Sequence, residues 1–203
     1  MDHTTAPTTP ATAPLKVAVV LASNREGRFA PVVADWLLAH TDAHPDIETD
    51  LVDVVEADLP TAISFRPEPG AQARLDALAP RLAAADAFIV VTPEYNHSYP
   101  APLKNLIDWY REEWHAKPVG FVSYGGVSGG LRAVEHLRQV FAEQHAVSVR
   151  ETVSFHNAGA LFDEQGKHRD PQGCDAAAKV LLDQLLWWGR ALREARSARP
   201  YGG

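Results

Sequence analysis

Short, nearly continuous apolar runs alternate along the chain with longer segments that are apolar at helical spacing. Leu15 to Ala22 (LKVAVVLA), Asp86 to Thr92 and Lys117 to Tyr124 (KPVGFVSY) are runs of the first kind. A run without polar alternation suits a parallel strand covered on both faces. Ile47 to Val55 reads as a further strand, and Val147 to Phe155, with partial alternation, as an edge strand. The segments between them carry apolar residues on one helical face. These are Phe29 to His40 (Val32, Val33, Trp36, Leu37), Ala71 to Ala84 (Leu75, Leu78, Leu82) and a helix after Tyr99 (Leu103, Leu106, Ile107, Tyr110, Trp114). Leu131 to His145 (Val134, Leu137, Phe141) and Asp175 to Ala195 (Val180, Leu181, Leu185, Trp188) complete the set. Pro31, Pro100 and Pro102 suit first turns, where a missing N–H breaks no helical bond. Pro80, inside its helical pattern, predicts a kink or a break.

The order is strand then helix, five times over, which predicts a parallel sheet with helices on both faces and right-handed crossovers. Five strands fit a flavodoxin-like α/β/α sandwich of strand order 2-1-3-4-5, with ligands at the carboxyl ends of the first, third and fourth strands. One domain over residues 15–196 is expected. Residues 1–14, rich in Thr, Ala and Pro, read as a disordered arm, and 197–203 as a frayed tail. The stretch 56–70 holds three prolines and reads as a loop over the ligand mouth. His156 to Gly173 reads as a polar loop.

Composition narrows the function. The chain has 203 residues, 46% hydrophobic and 22% charged, as in an ordinary globular protein. A net charge of −7 argues against a sequence-independent nucleic-acid binder, which needs a cationic face to release counterions. Cys174 is the only cysteine, so a disulfide framework is excluded and a reducing, cytoplasmic setting is expected. Nothing resembles a signal peptide, and no apolar run reaches the length of a membrane span.

Three loops fall at the ligand end of the sheet. Ser23-Asn24-Arg25-Glu26-Gly27-Arg28 opens the first helix. Its free N–H groups, the Ser23 hydroxyl, Arg25 and Arg28 can grip a phosphate; the plainer reading is a capped turn with two solvated arginines. Pro93-Glu94-Tyr95-Asn96-His97-Ser98 can offer stiff backbone, amides and flat side chains to a planar ligand. It is also readable as a proline-rich turn in which Asn96 bonds its own backbone. Ser123-Tyr124-Gly125-Gly126 begins a glycine-rich turn (124–130) that lets backbone approach a ring. His40 and His44 lack a third partner for a metal, and no metal site is expected. Trp187-Trp188 reads as core and interface.

SNREGR after the first strand, VTPEYNHSYPAPLKNLIDW after the third and VSYGG after the fourth together resemble the NADPH-dependent FMN reductase family, over roughly residues 15–195. The resemblance implies FMN as cofactor and NADPH, or NADH, as reductant. Ser23, Arg25 and Arg28 match the phosphate loop. Pro93, Glu94, Tyr95, Asn96, His97 and Ser98 match the segment against the isoalloxazine ring, and Ser123, Tyr124, Gly125 and Gly126 the second wall. The implied reaction is ping-pong: hydride passes from NADPH to the flavin N5, then electrons pass to free flavin, a quinone, an azo compound or a metal oxyanion. The chemistry resides on the flavin, so no catalytic side chain is expected. The resemblance also implies a homodimer or a dimer of dimers, formed through the helix after residue 99, with Trp109, Tyr110 and Trp114 as interface or as internal packing. The competing classes are an FMN-binding electron carrier and a non-catalytic flavin-binding sensor.

Overall fold

The computed structural model describes residues 13–202, so most of the expected arm, residues 1–12, and the last tail residue lie outside the described residues. Five strands, β1 (Leu15–Leu21), β2 (Ile47–Asp53), β3 (Ala87–Pro93), β4 (Pro118–Tyr124) and β5 (Val147–Phe155), form one parallel sheet of order β2-β1-β3-β4-β5. Every residue of β3 and of β4 is buried, which is why their sequences are nearly all apolar, with Thr92 and Ser123 polar only at the carboxyl ends. The edge strands β2 and β5 show mixed burial. On one face, α1 (Ala30–Asp42) and α7 (Pro171–Ala198) close a core with Val17, Val19, Ile89 and Val122. On the other, α3 (Pro69–Ala84), α4 (Ala101–Trp109) and α5 (Leu131–Glu143) cover Val20, Phe88, Val90 and Phe121. Short helices α2 (Val54–Ala57) and α6 (Ala158–Leu161) follow β2 and β5.

Several expectations are corrected. Pro80 does not break α3, which runs unbroken to Ala84. The proline sits on the exposed face, so the carbonyl it leaves without an N–H partner is on the water side, where the loss costs least. The loop 156–173 is not wholly polar: it contains α6, and Phe162 is buried against Phe29 and Phe155. α7 starts four residues early, with Pro171 in its first turn. Val180 and Trp188, placed inward by helical spacing, are 46% and 37% exposed; Ala178, Leu181, Leu182, Leu185 and Leu186 fill the core instead. Trp187 is also exposed, so this pair is not core.

The aromatic run near α4 packs within the chain. A 3₁₀ turn at Glu112–Trp114 folds Trp114 beneath the sheet, against Phe88 and Phe141. Its Nε1 donates to the Tyr110 carbonyl at 2.9 Å, and the Tyr110 hydroxyl donates to the Leu75 carbonyl at 3.0 Å. Trp109 donates to the Pro60 carbonyl at 2.8 Å. Tyr110 and Trp114 are therefore internal packing and not interface.

Candidate active site

The carboxyl ends of β1, β3 and β4 lie side by side in register, Leu21 against Val91 and Pro93 against Tyr124. The loops that leave them are therefore neighbours. Ser23 is fully buried, and its Oγ lies 2.6 Å from the Tyr95 hydroxyl, tying the first loop to the second. Within the first loop the amides of Asn24, Glu26 and Gly27 have no acceptor among the described residues. Arg25 is exposed, and the loop runs into the amino end of α1. Arg28 is placed differently. Its Nη1 donates to the Ser23 carbonyl at 2.7 Å and to Asp53 Oδ1 at 2.6 Å, and its Nη2 donates to Asp53 Oδ2. The hydrogen bonds that it donates to Asp53 raise the Arg28 pKa further, so the guanidinium stays charged.

Tyr95 and Ser98 bond each other through both backbone pairs, at 2.8 and 3.1 Å, and close a two-residue turn. Its central residues Asn96 and His97 stand at φ 48° and 76°, as a type I′ hairpin turn requires. Asn tolerates that region well and His better than most side chains. Neither the Asn96 nor the His97 amide has an acceptor among the described residues.

Glu94 is not a solvated carboxylate. Its side chain is 5% exposed and is ion-paired with Arg132; Oε2 also accepts the Arg132 amide at 3.3 Å, at the start of α5. Burial alone would raise its pKa, but hydrogen bonds from Ser128 and Arg132 outweigh this and hold it below the usual carboxylate value. The second loop is thus fastened to the third. Ser98 Oγ lies 2.9 Å from His136 Nδ1, and His97 lies beside the same ring.

In the third loop Ser123 is fully buried and donates to the Gly129 carbonyl at 2.8 Å. A Cβ on Gly126 would meet nothing within 4 Å, so its backbone faces open space. The glycines that the turn requires are Gly129 and Gly130, at φ 60° and 85°: a Cβ would come within 2.6 Å of Ser154 Oγ at the first and 2.7 Å of Ser123 Cβ at the second. The Tyr124 hydroxyl is buried and has no hydrogen-bond partner, although Tyr95, Ser23 and Arg28 are near it. Burial raises its pKa and keeps it protonated.

All three expected loops therefore converge. Beside Asn24 and Tyr95 opens a cleft of about 850 Å³, walled by Val54, Val55, Leu59 and Ile63 from the segment after β2 and by Asn105 of α4. Sequence reasoning missed Asp53, Ser128 and Arg132, because each works through a partner distant in the chain. His40 and His44 do not face each other: His40 bonds Asp175, and His44 accepts the Asp46 amide. No cluster able to hold a metal occurs among the described residues.

A parallel α/β sandwich of strand order 2-1-3-4-5, with unpaired amides and an unpartnered buried hydroxyl where β1, β3 and β4 end, is a flavodoxin-like fold with an open crevice at the usual ligand end. The donor set fits FMN: amides, a hydroxyl and a free arginine for the phosphate, and turn amides with open glycine backbone for a flat, polar-edged ring.

The description of the NADPH-dependent FMN reductase family matches residues 15–160, and the chain belongs to that family. FMN and NAD(P)H are the cofactors of its oxidoreductase class. An NAD(P)H-dependent FMN reductase of Schizosaccharomyces pombe is 36% identical over 124 residues, which cover 57% of this chain and 60% of that protein. A quinone reductase of Escherichia coli is 37% identical over 131 residues, covering 62% of this chain and 69% of that one. The solved structure of a flavoenzyme NAD(P)H:acceptor oxidoreductase from Paracoccus denitrificans matches with a TM-score of 0.69 and 23% identity, over 87% of this chain and 98% of that one, a likeness of fold.

Proposed function

We propose that the chain is an NAD(P)H-dependent flavin oxidoreductase that reduces a small acceptor by a two-stage, ping-pong reaction. The observation that carries this reading is the junction of the three loops, where Ser23 meets Tyr95 and Glu94 meets Arg132. When bound, FMN supplies the two-electron redox chemistry between NADPH and a second substrate that takes its place. The chain supplies position and electrostatics. Ser23, Arg25 and the amides of residues 24, 26 and 27 take the phosphate. The Asn96 and His97 amides, with the backbone of Pro93, Ser98, Gly125 and Gly126, take the ring edge and favour negative charge there. Tyr95 and Tyr124 would line the flavin crevice beside Ser23, and Ser123 holds the third loop in shape. The apolar cleft walls suit a planar acceptor such as a quinone, as in the names of the relatives. A second copy of the chain is the proposed partner, with the exposed Ile63 of the cleft wall and the exposed Phe65 two residues on as contact; sedimentation as a clean monomer would remove that part.

The test is an absorbance spectrum of the purified protein before and after anaerobic NADPH. Flavin bands that bleach are expected. Bands that both NADPH and NADH leave unchanged would point to a carrier or sensor, and no flavin even after incubation with excess FMN would overturn the reading.

A further inference from the structure

The anion loop carries two arginines, and the fold treats them oppositely. Arg25 is exposed and free to meet a ligand. Arg28 is folded back under the loop, where its guanidinium forks onto Asp53 and holds the Ser23 carbonyl at 2.7 Å. Asp53 ends β2, is 7% exposed, and also accepts the Val55 amide at 2.9 Å as the N-cap of α2. A buried carboxylate with a forked guanidinium and an amide on it is satisfied and fixed in direction. Its charge also cancels that of Arg28.

We propose that Asp53 is the positioning residue of the phosphate site: acting through Arg28, it sets the course of the loop, and Arg28 braces the loop without touching the phosphate. The inference rests on the reading of the chain as an FMN-dependent oxidoreductase. A six-residue loop with Gly27 at φ 62° has many courses open to it. The Arg28 brace fixes the Ser23 carbonyl, and with it the direction of the Asn24 amide in the same peptide plane, while Tyr95 holds the Ser23 hydroxyl. Ordering the donors before the ligand arrives removes a cost otherwise met on binding. The phosphate then meets Arg25, Ser23 and the free amides.

The experiment titrates the deflavinated protein with FMN and with riboflavin, which lacks the phosphate, following flavin fluorescence. Arg28→Gln and Asp53→Asn are each expected to weaken FMN binding by about tenfold or more, although Asp53 does not reach the ligand. The double variant, which sets two neutral amides against each other, is expected to recover to within about threefold of the parent. Riboflavin affinity is expected to change less than about threefold throughout, as for a role confined to the phosphate end. A double variant as weak for FMN as Arg28→Gln would overturn the proposal, because Arg28 would then act on the phosphate itself. So would an equal loss for both flavins. Arg28→Lys keeps the charge and loses the fork, and serves if the amide variants do not fold; parental FMN affinity in that variant would also overturn the proposal. If the parent takes up FMN and only the coupling fails, the positioning role alone is lost. A parent that takes up no FMN removes the functional reading and this role together.

Discussion

The two ends of the sheet are both rich in charge, and they use it differently. At the amino end Asp86 accepts the Lys16 amide, Arg193 and Arg196 at 3.1 to 3.3 Å. Lys117 is 5% exposed, with Nζ donating to the Leu82 and Ala83 carbonyls at 2.9 Å, where it closes the carboxyl end of α3. Arg196 donates its remaining Nη to the Ala116 carbonyl. These groups are occupied with holding α3 and α7 to the sheet. At the carboxyl end two ion pairs, Arg28–Asp53 and Glu94–Arg132, build a frame, and inside it amides, an exposed arginine and the Tyr124 hydroxyl are left open. Polarity alone does not mark a site; polarity left unanswered within a braced frame does.

The largest effect that would sharpen this contrast comes from Asp86→Ala. It takes the shared counter-charge from two guanidinium groups and is expected to cost about 2–3 kcal/mol of stability, read from the urea midpoint. FMN affinity below the transition is expected to stay within about twofold, since the two ends lie about 20 Å apart along seven-residue strands. A large fall in FMN affinity would mean that the ends are not separable.

Lys117 comes next. Burial lowers its pKa from 10.5 to about 8. Between those values the unfolded chain holds the proton more tightly, so the penalty of burying the charged form is complete below pH 8 and fades as pH rises to 10.5. Parental stability is therefore expected to gain on the order of 2 kcal/mol relative to Lys117→Met between pH 7.5 and 10. Parallel pH profiles for the two proteins would contradict this.

The smallest effect is at Glu94. Its pKa is lowered in the folded chain, so its pairing stabilises above the ordinary carboxylate value of 4.5 and is lost as pH falls through the folded value. Glu94→Gln is expected to cost about 1 kcal/mol at pH 7, and the difference from the parent should vanish near the acid end of the unfolding profile. A difference that persists in acid would show that shape, not charge, fastens the second loop.

The sheet was legible because its central strands are buried on both faces, so Ala87–Pro93 and Pro118–Tyr124 announce themselves without alternation. The three loops followed from strand order. What stayed hidden was set by contacts distant in the chain. Arg28 looks like Arg25 until Asp53, on another strand, claims it. Trp114 reads as interface or as internal packing until the turn at 112–114 folds it under Phe88. Gly129 and Gly130 stand out from Gly125 and Gly126 only once His156, Ser154 and Ser123 press on them. Asn96-His97 carries half of the usual Asn-Gly hairpin signal, so the sequence reads as a turn but does not specify the type I′ reversal between Tyr95 and Ser98.

The most direct measurement compares FMN and riboflavin binding to the deflavinated parent and to Arg25→Ala. The parent is expected to prefer FMN by about 100-fold or more, a gap of about 2.7 kcal/mol or more, and Arg25→Ala to lose most of that preference. Equal affinity of the parent for the two flavins would contradict the account, because the open donors at the end of β1 would then have no phosphate to answer them.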